Sequence, residues 1–265
     1  MEGIWDFIQT VDIDDIREIL DRQIAFNMAI AEEGIRGDYG ANIGSVLLSM
    51  DPPNIRVRAK AMAAAGSDAR MNGCELPVII NSGSGNQGIT VSVPVVVYAR
   101  ELGSSKEQLY RALALSNLTA IHQKTPIGRL SAYCGAVSAG AGAGAGIAYL
   151  CGGSYKDITH TVVNALAIVS GIICDGAKAS CAAKIASAID AGILGYHIVQ
   201  KRPAVPWRGR YCYKGHRSHP SERRPSWQGR NERNQRGKLS GLCLEIADSS
   251  SMHLLAHLSF RATIR

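Results

Sequence analysis

The chain has 265 residues, 46% of them hydrophobic, and a formal charge of +7, which is material enough for one large or two ordinary domains with a substantial core. The charge does not describe a nucleic-acid binder, because it is unevenly placed: residues 201–265 hold 14 Lys and Arg against 4 acids, whereas residues 1–200 hold 15 against 18. The body is mildly acidic, and no phosphate-binding surface follows from it.

Taken in chain order, the first clear element is an amphipathic helix from Asp14 to Glu33. Ile16, Ile19, Leu20, Ile24 and Met28 recur at helical spacing, and Gly34 ends the run. Asp51-Pro-Pro-Asn54 is a break, and Arg56 to Arg70 reads as a second helix. Val91 to Val97 looks strand-like, although Pro94 argues against a central strand. Ser104-Ser-Lys-Glu107 has the form of a capping box and opens a helix through Leu109, Leu113, Leu115 and Leu118. Beyond Gly128, a helix from Leu130 to Leu150 contains the run Gly-Ala-Gly-Ala-Gly-Ala-Gly over residues 140–146. Each glycine costs a helix about 1 kcal/mol, so the run belongs where neighbours approach closely or where the backbone must adapt. Helices over Thr159–Ile173 and Ala177–Leu194 complete a mainly α body, a compact bundle with Gly/Ala-rich buried helices. Residues 1–200 form one domain on this reading. Residues 201–265, rich in Arg and Ser and without apolar periodicity, form a disordered basic tail.

Two uncharged stretches are long enough to span a bilayer: 24 residues between Glu75 and Arg100, and 26 between Arg129 and Lys156. The first is interrupted by Asn, Gln, Ser and Pro, and the second lacks the Leu, Ile and Phe density that insertion demands. Close-packed buried helices explain both, so no membrane partner is expected. Seven cysteines is an odd number, and the start Met-Glu-Gly-Ile-Trp-Asp-Phe lacks the basic and apolar regions of a signal peptide. The default compartment is a reducing cytoplasm, where clustered cysteines signal metal or catalysis more often than disulfides.

Two features carry chemistry. Cys174 and Cys181 form a Cys-x6-Cys pair, and Cys134 stands further upstream, all three among Gly, Ala and Ser. Such a set can give three thiolates to one metal centre, and small buried cysteines can equally be plain core residues. The loop Asn81-Ser-Gly-Ser-Gly-Asn-Gln-Gly88 has three glycines within residues 83–88. Its amides can turn inward together to bind a carboxylate or phosphate, or the loop can be an ordinary turn. It is neither a Walker loop nor a dinucleotide fingerprint.

Four segments then resemble one family: Asp68-Ala-Arg-Met-Asn-Gly-Cys74, Asn81-Ser-Gly-Ser-Gly-Asn-Gln-Gly-Ile89, Gly128-Arg-Leu-Ser-Ala-Tyr-Cys-Gly-Ala-Val137 and Cys174-Asp-Gly-Ala-Lys-Ala-Ser-Cys181. In order and spacing they are similar to the L-cysteine desulfidases, relatives of the alpha chain of iron–sulfur L-serine dehydratases, over residues 1–196. The resemblance implies a serine-dehydratase-alpha-type helical fold and a 4Fe–4S cluster held by Cys134, Cys174 and Cys181. Cys74 and Cys151 are not expected as ligands. It implies β-elimination from L-cysteine to pyruvate, ammonia and sulfide without pyridoxal phosphate, with L-serine dehydration or an inactive fragment as the alternatives, and it leaves room for a homodimer. Ser82, Gly83, Ser84, Gly85, Asn86, Gln87 and Lys124 are the implied substrate-binding residues. Lys124, Arg129 and Lys178 match basic family positions and either balance charge or simply cap and solvate helices. Asp175 either orients its loop or caps a helix. The catalytic base of the family belongs to an upstream segment, so none is assigned here. Back-translation of Trp207 to Gln235, read one nucleotide later, permits a continuation that resembles the family, so residues 201–265 are expected to be an out-of-frame product.

Overall fold

The computed structural model describes residues 1–128 and 131–201. The tail expected over 201–265, and Arg129, lie outside the described residues apart from Lys201. Among the described residues the regular structure is helical: α1 (Glu2–Thr10), α2 (Ile13–Arg36), α3 (Ile43–Met50), α4 (Ile55–Met71), α5 (Gly85–Glu101), α6 (Lys106–Ile127), α7 (Gly135–Leu150), α8 (Tyr155–Val169) and α9 (Cys181–Lys201). The expectation of a mainly α bundle holds. No helix of the described residues is long and apolar enough to cross a membrane.

Local chemistry sets the helix starts. Asp12, Asn54 and Ser84 each accept a first-turn amide of the helix that follows. Ser154 and Asp157 form a full capping box on α8, and Ser105 with Gln108 forms one on α6. The α6 box therefore sits one residue later than the Ser104–Glu107 reading. Helix α2 also runs on through Gly34 to Arg36, because the missing side chain lets α4 approach: a Cβ on Gly34 would stand 2.1 Å from the Ala65 carbonyl oxygen. Helix α7 starts at Gly135 rather than Leu130, α8 at Tyr155 rather than Thr159, and α9 at Cys181 rather than Ala177.

Val91 to Val97 is no strand. It is the middle of α5, and every residue of that helix from Gly85 to Ala99 is buried. A helix enclosed on all sides has no polar face to give it a 3.6-residue period, so its valine run imitates a strand. Pro94 removes one helical donor. Nearby, the Ser116 hydroxyl donates to the Val91 carbonyl across the α5–α6 interface at 2.7 Å.

Helix α7 is the hub, packed against α5, α6, α8 and α9. Its small residues make this possible. A Cβ on Gly140 would lie 2.6 Å from the Ala188 carbonyl, and one on Gly144 would lie 2.8 Å from the Gly192 Cα, so α7 and α9 meet backbone to backbone. Gly142 faces Ser116 and Ala120, while Gly146 faces Ala112 and Ser116. Rising numbers on α7 thus meet falling numbers on α6, and the two run antiparallel.

Candidate functional site

The segment before α5 is fixed by buried amides. Asn27 on α2 accepts from the Ile79 amide at 2.9 Å and donates to the Ile79 carbonyl and to Ser92. Asn117 on α6 exchanges two hydrogen bonds with Gln23 and accepts from Asn81 at 3.0 Å. Asn81 and Ser84 then pair backbone to backbone in both directions, at 3.1 and 3.0 Å. Between them stand Ser82 at φ 49° and Gly83 at φ 82°, the two positive values that mark a type I′ turn. This refines the expected inward nest of amides: those of Asn81 and Ser84 are spent on each other, and Ser84 Oγ takes the Gln87 amide. By helix geometry the Gly85 and Asn86 amides have no intrahelical acceptor and remain for an anion. Arg70 reaches the same place from α4. Its Nη1 donates to Asn86 Oδ1 at 3.1 Å, and a Cβ on Gly85 would strike its Nε at 2.3 Å. Burial lowers the Arg70 pKa, with the Cys181 thiol acting in the opposite sense.

Cys134 and Cys174 are brought together by a short antiparallel bridge between Tyr133 and Ile173. The Cys174 amide donates to the Ala132 carbonyl at 2.7 Å and the Cys134 amide to the Ile172 carbonyl at 3.3 Å. Side chains alternate along paired segments, so the two thiols emerge on the face opposite Tyr133 and Ile173. Cys134 is the N-cap of α7, and Cys181 is the first residue of α9. Two of the three cysteines thus stand at helix N-termini. Cys134 is 7% exposed. Burial pushes its thiol up first, and Cys174 and Cys181 push it further, so the three sulfurs feel one another. Cys181 Sγ accepts from the Lys178 amide at 3.5 Å and lies 3.7 Å from the Gly176 carbonyl it donates to.

The loop carrying Cys174 is held by charge. Asp175 accepts from Lys184 Nζ at 2.5 Å and from Lys178 Nζ at 3.4 Å, and Lys184 also reaches the Ile173 carbonyl at 3.2 Å. The Lys184 ammonium, foremost, holds the Asp175 carboxyl down to about 2. Lys124, in the last turn of α6, is 4% exposed. Burial lowers its pKa, while the charges of Cys174 and Cys134 act in the opposite sense.

Of the residues expected at the site, Ser82 to Gln87, Lys124, Cys134, Cys174 and Cys181 gather at the N-termini of α5, α7 and α9 and the C-terminus of α6. Lys178 and Asp175 serve the Cys174 loop. Cys151 caps the opposite end of α7, roughly 25 Å away along the axis at 1.5 Å per residue. Cys74 lies by Tyr39, whose hydroxyl donates to Glu33 at 3.1 Å and is pushed up to about 12 by Cys74 foremost and by Glu33. Sequence reasoning missed Arg70, Lys184 and Gln123. Arg70 lies inside the Asp68–Cys74 segment, and its helical register was the available signal. Among the described residues no three Cys, His, Asp or Glu side chains are close enough to hold a single metal ion between them.

This geometry defines a class: a helical protein that collects thiols and cations at the ends of four helices around a glycine-rich turn. The chain belongs to the serine dehydratase alpha chain family, whose sequence profile matches residues 5–206. A UPF0597 protein of Desulfitobacterium hafniense is 66% identical over 193 residues, 73% of this chain and 45% of the relative. One from Lachnoclostridium phytofermentans is 63% identical over 199 residues, 75% of this chain and 48% of the relative. One from Treponema denticola is 54% identical, covering 75% and 47%. The chain thus spans about half the length of the curated relatives it matches. No solved structure matches it.

Proposed function

We propose that this chain is the cluster-binding half of an iron–sulfur β-eliminating lyase that acts on L-cysteine, giving pyruvate, ammonia and sulfide. The observation that carries the reading is the convergence of Cys134, Cys174 and Cys181 beside Lys124 and the α5 turn. The donor set fits a 4Fe–4S cluster. A cluster divides its thiolates among separate irons, so its three cysteines need not close around one ion. Lys124, Lys184 and the helix ends of α7 and α9 offset the negative charge that three thiolates bring. Bound there, the cluster supplies an iron without a protein ligand, a Lewis acid toward the departing sulfur or oxygen.

The chain's own residues do the rest. The Gly85 and Asn86 amides and the Arg70 guanidinium hold the substrate carboxylate, and Arg70 is kept in place by Asn86. The Asp175–Lys184 pair fixes the Cys174 loop against α9. Helix α5 gives the site a dry wall, being buried from its first residue, Gly85.

Anaerobic reconstitution tests the reading. The protein should take up iron and sulfide and show a broad visible absorption, and Cys134→Ala, Cys174→Ala and Cys181→Ala should each abolish it, while Cys151→Ala should not. Equal iron uptake by all four variants would overturn the ligand set. A second reading, a chain that binds the cluster without turnover, is favoured by its span of about half its relatives' length.

A further inference from the structure

Two buried side chains beside the thiols have unpaired polar atoms. Gln87 is 7% exposed and its Oε1 has no partner; Gln123 is 1% exposed and neither its Oε1 nor its Nε2 has one. Buried amides are rarely left so, because each unmade hydrogen bond costs about 1–3 kcal/mol. The register of three helices sets both residues in one layer. Val91, Ala120 and Ala139 touch as a small cluster joining α5, α6 and α7. One turn nearer the cysteines, in each helix's own direction, stand Gln87, Gln123 and Gly135. Gly135 follows Cys134, and a Cβ added there would lie 2.5 Å from the Gln87 amide.

The unpaired set is two carbonyl oxygens and one amide NH2 group. An α-amino acid offers the complement, an ammonium group with three donors next to a carboxylate that accepts. Neither an alkyl group nor a second thiol would satisfy these atoms. We propose that Gln87 and Gln123 form the seat of the substrate's α-ammonium group, with Gln87 Oε1 and Gln123 Oε1 accepting from it and Gln123 Nε2 donating to the neighbouring carboxylate. This makes the site selective for amino acids over the corresponding hydroxy and thiol acids that lack the amine. It rests on the lyase reading above for the presence of an amino-acid substrate, and it assigns recognition to two residues of which Gln123 had no sequence signal.

Calorimetric titration of the anaerobically reconstituted full chain tests it, with L-serine, 3-hydroxypropionate (no ammonium) and ethanolamine (no carboxylate) as probes. The wild type should prefer L-serine over 3-hydroxypropionate by roughly 10- to 100-fold, the worth of hydrogen bonds to a charged group. Gln87→Met, similar in volume but without the amide, should bring that ratio to within a few-fold while leaving 3-hydroxypropionate affinity little changed; Gln123→Met should lower the ratio as well and also weaken 3-hydroxypropionate, whose carboxylate loses the Nε2 donor. Gln123→Glu keeps an oxygen acceptor and should keep the preference for L-serine over 3-hydroxypropionate, which separates recognition from packing. Variants that weaken both ligands equally, or that keep the full wild-type ratio, overturn the glutamine assignment alone. A wild type that binds no amino acid overturns the lyase reading together with it.

Discussion

Asp68 is wholly buried on α4, with one carboxylate oxygen accepting the Ile43 amide at 2.7 Å and the other unpaired. It caps α3 from across the fold, where the helix's own N-cap, Asn42, offers no side-chain bond. Burial raises the Asp68 pKa against the lowering effect of the Ile43 amide. A folded-state pKa above the unfolded one gives stability that is complete below the ordinary carboxylate range and is lost as pH rises through the raised value. The neutral variant Asp68→Asn keeps an acceptor for Ile43 and has no such loss. Its stability relative to wild type should therefore climb as pH rises from about 4, read as the difference in urea midpoints across pH. A constant difference would mean that the carboxyl titrates alike in both states. At this scale the sequence was legible where residue type is chemically rare: three cysteines among small residues stand out. It was silent on Gln123 and Arg70, whose roles depend on which helices face them.

The α7–α9 contact poses a contest between propensity and space. Gly144→Ala would gain up to about 1 kcal/mol of helix propensity. Its Cβ, 2.8 Å from the Gly192 Cα, has only backbone to push against, and overpacking costs about 1–3 kcal/mol. Net destabilisation is expected, seen as a lower denaturant midpoint at unchanged m. Because Cys134 and Cys181 begin the two helices being pushed apart, cluster uptake should fall with it. An alanine that stabilised the protein would show that the helices can slide without cost. The glycine run announced close packing from sequence alone, but not its partner. Amphipathic α2 was legible for the opposite reason, having one wet face, while α5, dry all round, was misread as a strand.

For the molecule as a whole, β-elimination needs a positioned base to take the Cα proton, a contribution of about 10²–10⁴-fold. The groups that converge here are thiols, cations and neutral amides, and the chain spans about half its relatives' length. The reconstituted chain alone should release little sulfide from L-cysteine, and one extended by the relatives' remaining half should release it at least 10²-fold faster. Comparable rates from both would place the base within this chain, and buried Lys124, its pKa lowered by desolvation, would be the first candidate.

The bridge between Tyr133 and Ile173 bears equally on how the proposed cluster would enter. Two backbone hydrogen bonds, both donated by the proposed ligands Cys134 and Cys174, tie the two segments together, and Lys184 ties the loop to α9 through the Ile173 carbonyl and Asp175. Local openings of so small a unit cost far less than global unfolding. Delivery of the proposed cluster can thus follow folding, through a local opening at the Cys134 and Cys174 amides while the helical body stays shut. Those amides should exchange with solvent deuterium quickly in the empty protein and slowly in the loaded one, so the ligands themselves report their occupancy.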